Sequence, residues 1–144
     1  MSRKQVEARN LGAILARSGL RVTRQRLLVL QALADEPDDA TAQQIHERLR
    51  GAGEAIGLAT VYRTLASLSD ADAIDALAHR RGETCYRLCG AEHHHHLLCS
   101  KCHRVVELAD CDLHEWLGEV AAAHGFVASD HQLEITGVCA ECRA

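Results

Sequence analysis

Ten consecutive residues, His93 to Cys102 (HHHHLLCSKC), hold four imidazoles and two thiols. These are the donor types that zinc and its borderline-soft neighbours take most readily. A second pair, Cys139 and Cys142, repeats the Cys-x-x-Cys spacing of Cys99 and Cys102. Four thiolates in two such pairs give zinc a closed tetrahedral shell with no open position, so the chemistry expected of them is structural. Metal held there clips the later pair back onto the earlier one, and its removal is expected to unfold this part of the chain.

The histidine run carries a second message if it is extended, because successive side chains on a strand point to opposite faces. His93 and His95 then serve one site, and His94 and His96 another. Cys89, five residues before His94, is near enough to join the even pair. His114 falls on an expected helix over about 112–124, and His131 is expected to open a strand ending in Ile135. Cys85 and Cys111 fit no site and read as small buried hydrophobes.

Catalytic patterns are missing. The zinc-deaminase signature needs His-x-Glu and Pro-Cys-x-x-Cys, but His114 is followed directly by Glu115 and no proline precedes either pair. His-Glu-x-x-His does not occur, and neither Cys-x-x-Cys sits in the βαβ context of a thiol oxidoreductase. The seven cysteines are an odd number. With no leader-like apolar segment at the start of the sequence, they read as reduced metal ligands of a cytoplasmic protein, not as a disulfide framework. No apolar run approaches the roughly 20 residues that span a bilayer.

The elements that must position these ligands are legible in the rest of the chain of 144 residues. Leu11, Ile14 and Leu15 recur at helical spacing up to Gly19, giving a helix over about 6–18. Thr23 caps a second helix carrying Leu27, Leu30 and Leu33. Thr41-x-x-Gln44 forms a capping box for a third, which Gly51 and Gly53 end. A fourth follows Gly57 with Val61, Leu65 and Leu68 on its core stripe. Its other face offers Thr60, Tyr62, Arg63, Thr64 and Ser67, groups able to read a major groove. Residues 74–78 and 84–88 form two strands joined by the polar turn Arg80-Arg81-Gly82-Glu83, so the helices and hairpin together outline a winged helix-turn-helix. Charge divides along the same line. Through residue 91 there are 13 basic and 11 acidic side chains, net +2; beyond it there are 3 and 9, net −6. Such a split suggests two jobs in two halves.

RVTRQR (Arg21–Arg26), GLATVYRTL (Gly57–Leu65), HHHHLLCSKC, HGF (His124–Phe126) and CAEC (Cys139–Cys142), in this order and spacing, resemble the ferric uptake regulator (Fur) superfamily. Within it the chain is most similar to the zinc-uptake regulators of actinobacterial type. The resemblance implies an α+β protein: a winged helix-turn-helix DNA-binding domain over 1–88, a hinge at 89–92 and a small α/β dimerisation and metal-binding domain over 93–144. It implies a metal-activated repressor that binds a palindromic operator in double-stranded DNA as a homodimer, with no membrane and no small-molecule substrate. Two to three Zn²⁺ ions per subunit would occupy a structural site (Cys99, Cys102, Cys139, Cys142), a sensory site (Asp75, Cys89, His94, His96) and an accessory site (His93, His95, His131 and a helix residue). At the accessory site the chain departs from the pattern, because the position two before Trp116, usually Glu, is His114; either His114 ligates or Glu115 substitutes. Base contacts would fall to Tyr62 and Arg63 beside Thr60, and phosphate contacts to Arg21, Thr23, Arg24 and Arg26. One thiolate, two imidazoles and one carboxylate suit Zn²⁺ better than the oxygen-rich sets expected for Fe²⁺ or Mn²⁺. Iron or peroxide sensing within the superfamily, and zinc storage or delivery outside it, are the rival readings.

Overall fold

A computed structural model describes residues 11–78, 82–88 and 92–144. The chain divides into two compact units, Met1–Cys89 and Gly90–Ala144. The expected first helix is present as α1, Leu11–Arg17, with Ile14 and Leu15 buried; positions 6–10 of that expectation lie outside the described residues. Thr23 caps α2, Arg24–Ala34, its Oγ1 accepting the Arg26 backbone N–H at 3.3 Å. Thr41 and Gln44 form the reciprocal box at the start of α3, Ala42–Gly51: Thr41 Oγ1 accepts the Gln44 N–H at 3.2 Å and Gln44 Oε1 accepts the Thr41 N–H at 2.8 Å. Two of the orphan N–H groups at that end are thereby satisfied. Thr41→Ala removes one arm of the box. It is expected to lower the stability of the first unit by about 1 kcal/mol, read as a shift in denaturation midpoint at unchanged slope.

Helix α3 closes on Gly53, whose φ of 81° is a conformation only glycine adopts without cost. The Gly53 and Glu54 N–H groups donate back to the Arg50 and Leu49 carbonyls. Helix α4, Leu58–Asp70, starts after Gly57 and buries Val61, Leu65 and Leu68 completely against α2 and α3. Thr64 departs from expectation. It belongs to the buried face, because it lies three residues after Val61 and four before Leu68 on the same stripe.

Strands β2 (Asp75–Ala78) and β3 (Thr84–Arg87) pair antiparallel, Asp75 opposite Arg87 and Ala78 opposite Thr84. Of the expected turn, Arg80 and Arg81 lie outside the described residues, while Gly82 has the positive φ of 76° that a tight reversal requires. The wing is larger than the hairpin expected. A two-residue strand β1, Ala40–Thr41, adds to the far edge of β3, giving the order β1-β3-β2. Ala40 is buried, and Thr41 serves both as sheet residue and as helix cap.

The second unit is a three-stranded sheet with two helices. Strand β4, His95–Cys99, is central: β5 (Val105–Leu108) runs antiparallel on one side and β6 (Glu134–Gly137) parallel on the other. Helix α5, His114–Ala123, precedes β6, and the single turn α6, Ala140–Arg143, follows it. His131 does not open the strand. Its backbone N–H is taken by Asp130 Oδ1 at 2.8 Å, a local bond that competes with ladder pairing, and β6 begins three residues later. Very little of this unit is buried: among the described residues, His95, His96, Leu98, Cys99 and Val105. Helix α5 buries none of its side chains.

Candidate metal centres and nucleic-acid interface

Register decides which ligands meet. Parallel pairing of Cys99 with Gly137 places Cys139 just beyond the end of β4, and the Ser100 N–H donates to the Gly137 carbonyl at 2.8 Å. The turn after Cys99 closes with the Cys99 N–H on the Arg104 carbonyl (2.9 Å) and the His103 N–H on the Cys99 carbonyl (3.0 Å). His103 adopts a φ of 63°, a left-handed conformation that costs a side-chain-bearing residue about 1 kcal/mol or more. Such strain persists only where the surroundings fix the turn. The Sγ atoms of Cys99, Cys102, Cys139 and Cys142 then lie within 4.8 Å of one another, Cys102 and Cys139 at 3.7 Å.

The donor set fits a tetrahedral thiophilic cation. Backbone N–H groups point at Cys99, first that of Cys102 and then that of Cys139, which approaches Sγ to 3.4 Å; they hold this thiol down at about 5. Crowding by the neighbouring thiols, Cys139 first, pushes Cys142 up to about 12. Four sulfurs this close cannot all ionise alone, and a divalent cation removes that penalty.

The alternation expected of the histidine run is present. His93 and His95 meet with ring centroids 4.6 Å apart, and His94 and His96 with centroids 4.9 Å apart. The odd pair converges with His131, whose Nε2 lies 3.2 Å from His93 Nε2. The fourth side chain whose ligand atom joins this group is Cys111, with Sγ 3.1 Å from His131 Nε2. His114, expected there, contributes ring contacts to His93 and His131 at centroid distances of 5.7 and 5.0 Å. Sequence reasoning missed Cys111. The available signal was its place three residues before the helix that carries His114. His95 is 2% exposed, and burial lowers its imidazole below the ordinary value, with His93 and His131 adding to the effect.

Of the even set, His94 and His96 lie in the second unit, the His94 Nδ1 within 2.6 Å of the Glu92 carbonyl oxygen. Asp75 opens β2 in the first unit, and Cys89 lies outside the described residues. Cys85 is buried on β3 as expected. Burial, followed by the nearby Asp39 carboxylate, pushes its thiol up to about 12 from an ordinary 9.0. A raised value favours the protonated form, so its contribution to stability holds below pH 9 and is lost as pH rises toward 12. Native protein at pH 8 is therefore expected to leave Cys85 unmodified by iodoacetamide, and peptide mapping reads this directly.

Basic side chains are concentrated in the first unit, 13 through residue 91 against 3 beyond it. Tyr62 is half exposed and Arg63 exposed on α4, on the side opposite Val61 and Leu65, and Arg63 Nη2 donates to Thr60 Oγ1 at 3.3 Å. Arg26 donates to the Arg21 carbonyl at 2.7 Å, and Arg24 pairs with Glu54 at 2.7 Å. An exposed pair of that kind is worth little and is readily exchanged for a phosphate. On the second unit the exposed apolar residues Val106, Leu97 and Ile135 stand side by side in cross-strand register over β5, β4 and β6. Trp116, Val120, Phe126 and Val127 add further exposed apolar surface. Patches of this kind mark interaction faces. No helix among the described residues is long and apolar enough to cross a membrane.

The profile described as "Ferric uptake regulator family" matches residues 17–136. A zinc uptake regulation protein of Mycobacterium tuberculosis is 42% identical over 130 residues, covering 90% of this chain and all of that one. A ferric uptake regulation protein of Escherichia coli K12 is 39% identical over 133 residues, 90% of this chain and 89% of the relative. Among solved structures, the ferric uptake regulator of Francisella tularensis with iron superposes with a TM-score of 0.74 at 27% identity, covering 88% of this chain and 96% of that one.

Proposed function

Because the chain belongs to the ferric uptake regulator family, whose members are metal-responsive, DNA-binding, dimeric transcription regulators and not enzymes, we propose that it is a zinc-activated repressor of zinc uptake and homeostasis genes in the cytoplasm. The observation that carries the choice of metal is the donor chemistry: among the described residues, the two four-ligand groups of the second unit are made of imidazoles and thiols. Such sets favour zinc over the harder Mn²⁺ and Fe²⁺. The 42% and 39% relatives bear names for different metals, so similarity alone does not choose.

In this reading Cys99, Cys102, Cys139 and Cys142 hold a structural zinc, and a second zinc is sensed by Asp75, Cys89, His94 and His96 about a hinge at residues 89–92. A third zinc is held at the accessory site around His93, His95 and His131. Bound metal supplies a cross-link that biases the arrangement of the two winged helices toward one fitting successive major grooves. Tyr62 and Arg63 beside Thr60 then face base edges, while Arg21, Thr23, Arg24 and Arg26 meet phosphates. The apolar row Val106, Leu97 and Ile135 supports pairing of the second unit with a second copy.

The test follows operator binding while free Zn²⁺ or Fe²⁺ is buffered. Zinc is expected to switch on salt-sensitive, sequence-specific duplex binding. Cys89→Ala is expected to leave a folded dimer that ignores zinc. Activation by Fe²⁺ and not by Zn²⁺ would replace the zinc reading with an iron sensor. Absence of any specific duplex binding by the zinc-loaded dimer would favour storage or delivery instead.

A further inference from the structure

The accessory cluster is built differently from the carboxylate-bearing set that the family resemblance implies. Three Nε2 atoms and one Sγ turn inward on one point. His93 Nε2 lies 3.2 Å from both His95 Nε2 and His131 Nε2, and His131 Nε2 lies 3.1 Å from Cys111 Sγ. All four ligand atoms fall within 4.8 Å of one another. A tetrahedral zinc shell with bonds of about 2.0–2.1 Å to nitrogen and about 2.3 Å to sulfur has edges of roughly 3.3–3.6 Å. The three closest spacings differ from these by only a few tenths of an ångström, and the remaining ones stay within 4.8 Å.

Protons do not account for this convergence. One shared proton joins two atoms, whereas His93 Nε2 faces two nitrogens at once and His131 Nε2 faces a nitrogen and a sulfur. The buried His95 adds an independent observation: its Nδ1 is itself buried and has no hydrogen-bond partner among the described residues. Its other ring nitrogen, Nε2, meets the cluster 3.2 Å from His93 Nε2. We propose that Cys111 is the fourth ligand of this site, completing a three-histidine, one-thiolate shell for a borderline-soft divalent cation, and that His114 packs beside the shell without belonging to it. This rests on the reading that the accessory cluster binds metal.

The thiolate changes what the site selects and what it holds. Replacing an oxygen donor by sulfur moves preference away from Mn²⁺ and Fe²⁺ and toward Zn²⁺, Co²⁺ and Cu⁺. Cys111 lies three residues before α5, so ligation ties the start of that otherwise unburied helix to β4 and to the segment preceding β6.

Cobalt reports the ligand directly. A chain carrying Cys89→Ser, with zinc already in the four-cysteine site, is titrated with Co²⁺. Binding at the accessory cluster is expected to give tetrahedral visible bands together with a thiolate-to-cobalt charge-transfer band in the near ultraviolet. Adding Cys111→Ser should abolish the charge-transfer band, and His114→Ala should leave it in place. Loss with His114→Ala and retention with Cys111→Ser would overturn the assignment. A measurement on the unsubstituted protein guards against misfolding of a variant. Iodoacetamide labelling mapped by peptide should show Cys111 protected as the last equivalent of Zn²⁺ binds, and exposed again in His131→Ala. Equal labelling of Cys111 with and without zinc would also overturn it. Neither readout depends on DNA, so a failed repressor assay with Cys111 protected counts against the regulatory role alone.

Discussion

Cys99→Ala is expected to cost the second unit its fold. That unit buries only His95, His96, Leu98, Cys99 and Val105 among the described residues, and its longer helix buries none. So small a core leaves metal and partner burial to supply most of the stability. A structural zinc site contributes about 10–16 kcal/mol of apparent binding free energy, which in such a unit is folding free energy. Removing Cys99 also removes the sulfur on which the Cys139 N–H closes. Metal analysis should show one zinc per chain lost, sedimentation should show monomer or aggregate, and circular dichroism should show retained helix from the first unit. A variant that keeps dimer and zinc at wild-type levels would remove the structural role assigned to the four cysteines.

Arg63→Ala should act on the other unit and on the other function. Complete burial of Val61, Leu65 and Leu68 fixes the rotation of α4, so Tyr62 and Arg63 face outward whether or not DNA is present. The Thr60 hydroxyl further restrains the guanidinium. A good bidentate base contact discriminates by about 1–3 kcal/mol, roughly 5- to 150-fold in affinity for the correct site. Zinc content and dimer should be unchanged. Arg24→Ala should differ in kind, weakening binding to all sequences and flattening its salt dependence, as a phosphate contact does. Equal effects of Arg63→Ala on specific and random duplexes would place Arg63 among the phosphate contacts.

The parts of the fold that were legible in the sequence were those governed by neighbours along the chain. The Thr23 cap, the Thr41–Gln44 box, the Val61, Leu65 and Leu68 stripe and the pairing of odd with odd and even with even histidines each depend on spacings of two to four residues. The four-cysteine cluster was legible because its ligand types leave few alternatives. What escaped depended on non-local geometry. Strand β1 exists because two residues, one of them the Thr41 cap itself, reach the free edge of β3, and nothing in Ala40–Thr41 announces this. Thr64 was misplaced by chemistry: a hydroxyl suggested the outer face, while its position on the turn put it inside. Cys111 escaped because its partner His131 is 20 residues away across a whole helix, and because His114 filled the expected position on paper.

The parallel pairing of β4 with β6 also sets a clock. Cys139 and Cys142 follow Cys99 and Cys102 by 40 residues, and a ribosome adding about 5–20 residues per second takes roughly 2–8 s to cover that interval. For those seconds the earlier thiols stand without their partners, beside four histidines already made. The nascent chain is therefore open to whichever thiophilic ion or oxidant arrives first, so the conditions met during synthesis bear on how the four-cysteine cluster closes.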